Sequence, residues 1–348
     1  MGTITSDWRR TTGATLSAAV LALAAAGCGG DDDSTGGADG DGDVTAGRPA
    51  GYEATPDFIG KVVDQSTGVP YRCELTVRIG GADERDMGTC ASDGERTEFT
   101  FDLLAVYEPV FSQMSPDGEM PAQFDGIDWS MEQVADSTTT YVKAPMFDAL
   151  SDLIPSSANL GAVGDMIDAF AQAGDGWGSI DNAAMLAELP EGTATQAAGG
   201  MDAAAFFEML DATEEVDELG SDTIDGDTVS GLAAQVTLGD IYEGRGVDIE
   251  QLIPGASVVT DVLVPIEVWV DSDGHIRRID MTIDADDIAD AARDAGADDE
   301  EAAVAASGAG SNVITFSDYG DESISVELPT GAVDITEDAV DAMAQVTP

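Results

Sequence analysis

The stretch VPIEVWVDSDGHIRRIDMTI, residues 264–283, decides the fold. Val264, Ile266, Val268 and Val270 alternate with Pro265, Glu267, Trp269 and Asp271. Alternation of period two puts one set of side chains on a buried face and the other set outward, the signature of a half-buried strand. Asp273-Gly274 interrupts the run with turn chemistry. Ile279, Met281 and Ile283 then restore the alternation, so the segment reads as an antiparallel hairpin.

Working outward, the same pattern recurs. SDTIDGDTVSGLAAQVTL (221–238) carries Asp225-Gly226 between two extended arms, a second hairpin. YRCELTVRI (71–79) alternates Cys73, Leu75, Val77 and Ile79 with polar residues. TEFTFDLL (97–104) places Phe99, Phe101 and Leu103 on one face, and STTTYV (137–142) is β-branched and aromatic. NVITFSDYG (312–320) and SISVELP (323–329) read as a closing pair of strands.

Between these strands the period changes to that of a helix. FIGKVVD (58–64) is helix-compatible. Val163, Met166, Ile167 and Phe170 fall at i, i+3, i+4 and i+7, which predicts an amphipathic helix over 161–172. Phe206, Met209, Leu210 and Thr213 repeat that spacing, with Asp202 as N-cap, and predict a helix over 201–213. Residues 284–311 are Asp- and Ala-rich with few large apolar groups, and read as a solvated helical excursion or loop, an insertion outside the core. Strands, then helices, then hairpins give an α+β fold: an antiparallel sheet with helices packed on one side. Nothing divides residues 52–348 into two domains.

The first fifty residues differ in kind. Arg9 and Arg10 precede an uncharged, Ala- and Leu-rich run from Gly13 to Ala26 that ends Ala25-Ala26-Gly27-Cys28. That is a secretory signal over residues 1–27, too short for a membrane span of roughly 20 apolar residues. A cysteine placed just after such a site resembles the bacterial lipobox, although Ala25 stands where leucine is usual. The resemblance implies that Cys28 becomes the mature N-terminus, carries diacylglycerol and anchors the exported chain to the outer face of the cell membrane. Residues 28–51 hold almost no large apolar group and read as a flexible, acidic Gly/Asp tether. DGDGD (39–43) lacks the Gly and Glu of a calcium loop at the required positions, which are Val44 and Ala50.

Composition removes whole classes of function. The formal net charge is −56, from 69 acidic and 13 basic residues, and Lys61 and Lys143 are the lysines. Such a surface repels phosphate backbones, so nucleic acid is excluded as a partner. Cys73 and Cys90 flank a predicted hairpin, and in an exported chain such a pair forms a disulfide. His275 is the lone histidine and follows a turn, where it is expected to face solvent, so no Ser/His/Asp constellation is legible. No phosphate-cradling glycine motif sits between a strand and a helix. Ligands for a zinc site are too few. Catalytic residues, metal and cofactor are all expected to be none.

One ordered set of motifs points elsewhere. A strand ending Tyr141-Val142-Lys143-Ala144-Pro145 is followed by the 264–283 hairpin with its Trp269-Val270-Asp271, Gly274 and Arg277. A Thr315-Phe316-Ser317-Asp318-Tyr319-Gly320 strand then leads to Pro329. In this order and spacing, from about Pro56 to Ile335, the chain resembles the actinobacterial envelope lipoproteins of the LppX/LprG group. The resemblance implies a LolA-like half-barrel, a curved sheet with helices on its concave face and an apolar cavity between them. It implies binding or shuttling of acylated lipids or lipoglycans by a monomer, without catalysis. The helical residues placed to line that cavity are Val163, Met166, Ile167, Phe170, Phe206 and Leu210. Alternatives left open are a filled core, a regulatory lipoprotein that binds an envelope protein partner on the same scaffold, and a hydrolase acting on envelope material through His275.

Overall fold

The computed structural model describes residues 27–28, 48–49, 51–79, 83–105, 107–108, 120, 122–153, 162–188, 210, 213, 215–239, 260–294, 296–306 and 309–346. Its centre is the hairpin read above. Strands β10 (Leu263–Val270) and β11 (Ile276–Ile283) pair antiparallel, with Ile266 opposite Met281 and Val268 opposite Ile279. Asp271 organises the turn: its carboxylate accepts the Asp273 and His275 N–H groups at 2.9 and 3.0 Å. Gly274 sits at φ 89°, a conformation that favours glycine.

Around this hairpin the chain lays down one open, curved sheet. Its members are β1 (Gly27–Cys28), β2 (Tyr71–Ile79), β3 (Arg85–Ser92), β4 (Thr97–Asp102), β5 (Ser130–Ala135), β6 (Thr139–Lys143), β7 (Gly178–Asp181), β8 (Val216–Ile224), β9 (Asp227–Thr237), β10, β11, β12 (Ala309–Ser317) and β13 (Val333–Asp334). The spatial order is β13-β7-β6-β5-β4-β3-β2-β12-β11-β10-β9-β8, with β1 beside β12. Neighbours along this path are antiparallel, except that β13 runs parallel to β7. The meander β2 to β7 and the meander β8 to β12 therefore join through a single seam, β12 against β2.

Side-chain alternation assigns the faces. Ile266, Val268, Ile279, Ile314 and Phe316 are wholly or almost wholly buried and belong to one continuous core cluster. Helix α1 (Pro56–Ser66) lies over them. Thr55 caps it by accepting the Phe58 N–H, proline occupies its first turn, and Phe58, Ile59, Val62 and Val63 face the sheet. Ser66, at its last turn, accepts the Ile276 N–H at 2.9 Å and so ties the helix to β11. Each large apolar side chain buried in this way stabilises the fold by about 1.5–3 kcal/mol.

The opposite face has its own small cluster of Ile224, Val229 and Trp269. Trp269 lies flat over Gly231, where a Cβ would meet the indole at 2.7 Å, so only glycine fits. The chain ahead of residue 52 also touches the sheet. Arg48 pairs with Glu218 and sits 4.8 Å from the Tyr52 ring centre, and the Tyr52 hydroxyl donates to the Gly231 carbonyl.

Three expectations are corrected. Residues 323–329 do not form a strand, because β12 is already paired on both sides, to β11 and to β2. The segment packs instead through Ile324 and Val326, with the Val326 N–H on Asp93 and the Val326 carbonyl on Arg96. The 284–311 excursion is not merely solvated. Its helices α5 (Ala285–Asp294) and α6 (Asp299–Ala306) pack on one another through Ala289, Ala292 and Ala302, and Ile288 joins the main core. Small side chains achieve that burial by letting the backbones approach, which a search for large apolar residues overlooks. His275 does not point freely into solvent: its ring stacks on Tyr319 at 4.6 Å and its side chain is 25% exposed.

Two substitutions on one strand test the face assignment. Ile266 is 0% exposed and Leu263 is 51% exposed. Ile266→Ala is expected to lower unfolding free energy in urea by about 2–5 kcal/mol. Leu263→Ala should change it by less than about 0.5 kcal/mol. Equal effects would mean that the two faces are wrongly assigned.

Candidate functional site

The inner face of the β2–β7 half is laid out in rows, because directly paired residues in neighbouring strands project to the same side. One row runs Phe316, Cys73, Cys90, Phe99, Gln133, Val142, Gly178, from β12 to β7. Cys73 and Cys90 are joined by the expected disulfide, with their Cα atoms 4.8 Å apart. Both sulfurs are buried in the main core.

Three further helices border this half: α2 (Met146–Leu153), α3 (Ala162–Ala171) and α7 (Thr336–Val346). A short helix α4 (Asn182–Glu188) follows β7. Met146, Leu150 and Ile167 belong to the main cluster. Ile180, Met185, Ile335, Ala339 and Val340 form a second, separate cluster, against which Phe170 packs. Helix α3 therefore spans two cores, with Ile167 in one and Phe170 at the other. Phe170 also stacks on Phe147 at 5.0 Å.

The residues expected to line a cavity are placed as follows. Ile167 and Leu210 are buried in the main cluster, and Phe170 is half-buried beside the second. Val163 and Met166 lie on α3, and their side chains fall outside the described residues, as does Phe206 with most of the 201–213 segment. Cys28 ends β1, which pairs with Ala309 and Gly310; its side chain is likewise outside the described residues, as is the 39–43 DGDGD run. Among the described residues no group of three or more His, Cys, Asp or Glu is arranged to hold a metal ion.

Side-chain atoms that the sequence reading passed over stand out on the inner face. Gln133 Nε2, Asn312 Oδ1 and Ser230 Oγ are buried with no hydrogen-bond partner. Gln133 pairs in register with Phe99 and Val142, Asn312 with Met281, and Ser230 with Val270, so all three point to the core side. An unmatched buried polar group costs about 1–3 kcal/mol. For Asn312 and Ser230 a signal existed in the sequence. They sit in phase with Ile314 and Phe316, and with Leu232, Ala234 and Val236, where an apolar residue is expected. Gln133 had no such signal, because SMEQVA (130–135) alternates poorly.

The outer face is mixed. A groove of about 640 Å³ crosses β2 to β5 there, lined by the carboxylates of Glu74, Asp86 and Asp128 and by the apolar Leu104, Ile127 and Trp129. On the β9–β11 side, Glu267 and Asp280 are register partners. Burial first, and then the charge of Asp280, raise the Glu267 carboxyl above its ordinary 4.5. Burial also raises Asp280, opposed by Arg278, whose Nε donates to it at 2.7 Å, and by the Trp269 indole N–H at 3.2 Å. Burial raises the Tyr107 and Tyr319 hydroxyls as well.

No protein-family model and no curated protein matches the sequence. Among solved structures, the chain is similar to the Mycobacterium tuberculosis lipoprotein LppX, at 11% identity and a TM-score of 0.34, over 79% of this chain and 99% of that one. It is similar to LprF from Mycobacterium bovis at 14% identity and a TM-score of 0.33, over 80% and 96%. A LolA superfamily protein from Nitrosomonas europaea follows at 10% identity and 0.21, over 80% and 96%. None of these likenesses assigns a ligand to this chain.

The outer carboxylates give a pH test. Because the folded value of Glu267 lies above 4.5, its contribution to stability is fully present below 4.5 and is lost as pH rises through the folded value. Glu267→Gln is therefore expected to melt at a higher temperature than the wild type at pH 7, with the gain vanishing below pH 4.5. A gain independent of pH would show that ionisation of Glu267 is not its source.

Proposed function

We propose that this chain is an exported, lipid-anchored envelope protein that binds or shuttles acylated lipids or lipoglycans between its sheet and helices, without catalysis. The observation that carries the reading is a buried, unmatched amide on an apolar sheet face: Gln133 lies in register between Phe99 and Val142, where a filled core would be expected to carry an apolar side chain. Apolar surfaces with a few polar groups are the usual lining of ligand sites. The signal-like run before Cys28 and the acidic tether after it support export and anchoring through a diacylglyceryl cysteine. Cleavage before Cys28 would remove Gly27 and with it half of the two-residue β1 pairing.

Native mass spectrometry tests this on the Cys28→Ser form secreted from an actinobacterial host. A stoichiometric adduct that organic solvent extracts as a di- or triacylated lipid is the expected result. A clean apo mass with no uptake of added lipid would overturn the carrier reading in favour of a filled core or a protein-binding role. The unsubstituted protein should partition with membranes, and Cys28→Ser should release it to the soluble fraction.

A further inference from the structure

Gln133 is 5% exposed, and its Nε2 lacks an acceptor. Its neighbours in the row are Phe99 on one side and Val142 on the other. Beyond Phe99 lies the disulfide in the main core. Beyond Val142 lies Gly178, against which Ile335 of the second cluster packs so closely that a Cβ would meet its Cδ1 at 2.7 Å. The amide thus sits in the row that links the main core to the second cluster, on the face that carries both.

An N–H donor buried in register between Phe99 and Val142 calls for a neutral acceptor. A phosphate or carboxylate would need a compensating cation to leave water, and the row offers none. A carbonyl oxygen needs no such charge and can be carried in on the end of an acyl chain. We propose that Gln133 is a polar subsite whose Nε2 donates to the carbonyl oxygen of an ester- or amide-linked acyl chain, so that the site selects acylated lipids over hydrocarbons and ethers of the same shape. This inference rests on the lipid-binding reading above and adds to it the linkage that the site recognises.

The probes are a diacylglycerol and the dialkylglycerol of matched chain length, which differ only in the ester carbonyls. Native mass spectrometry reads their competition for the secreted Cys28→Ser protein. The wild-type site is expected to favour the ester by about five- to tenfold, the ratio that one hydrogen bond supports. Gln133→Leu should bring that ratio close to one while still binding both lipids. Gln133→Met serves as a second apolar variant of unbranched shape, and thermal melts should show both variants folded and at least as stable as the parent, since an unmatched amide is removed. An ester preference that survives in both variants, or that is missing from the wild type, would overturn the subsite and leave the carrier reading standing. A wild-type protein that binds neither lipid would overturn both.

Discussion

The registered bond between Cys73 and Cys90 is the constraint on which the β2–β7 half of the sheet depends. The side chains of a strand alternate with period two, so a slip of one residue would turn a whole face inside out. By joining β2 to β3 across directly paired positions, the disulfide fixes the row from Phe316 to Gly178. Each later strand of the meander inherits that register through its neighbour. Closing a loop with a sequence separation of 17 also stabilises the folded state by about 3 kcal/mol in the chain-entropy account. On the other side of the β12–β2 seam, the β10–β11 hairpin sets the register by its turn. There Asp271 gathers the loop's N–H groups.

Two fixed registers produce one apolar face, on which a large core and a smaller satellite cluster form, joined by the Phe147–Phe170 stack. The main cluster takes α1 and the inner residues of β2–β4 and β9–β12, while the second gathers at β7 with Ile335 and α7. Gln133 and Val142 lie in register along the row that links the two. The buried amide there is the polar group that the proposed ligand contact would satisfy. The opposite face mixes carboxylates with apolar side chains, and its acidity is in keeping with a net charge of −56.

Much of the sheet was legible from its residues. Strand 71–79 and both Asp-Gly hairpins follow from alternation and turn chemistry, and the structure places them where the pattern does. Short elements were not legible: β5, β7 and α4 hold four to seven residues and show no clear period. Residues 323–329 looked like a strand because they alternate, but strand formation also needs a vacant edge, and β12 has none. The α5–α6 pair escaped notice because alanine packing leaves no large-residue signature. Of the candidate cavity residues, Ile167 and Leu210 emerge in the main cluster and Phe170 beside the second. Gln133 was invisible because its inward direction follows from register with Phe99, a long-range pairing that no local pattern encodes.

The central claim is that the inner face holds an acylated ligand against Gln133. A crystal structure of the protein purified from its own envelope tests it most directly. The account predicts continuous density for an acyl chain between the sheet and α3, with an oxygen within hydrogen-bond distance of Gln133 Nε2. A filled core without a ligand, with the amide satisfied by protein or by a trapped water, would contradict it.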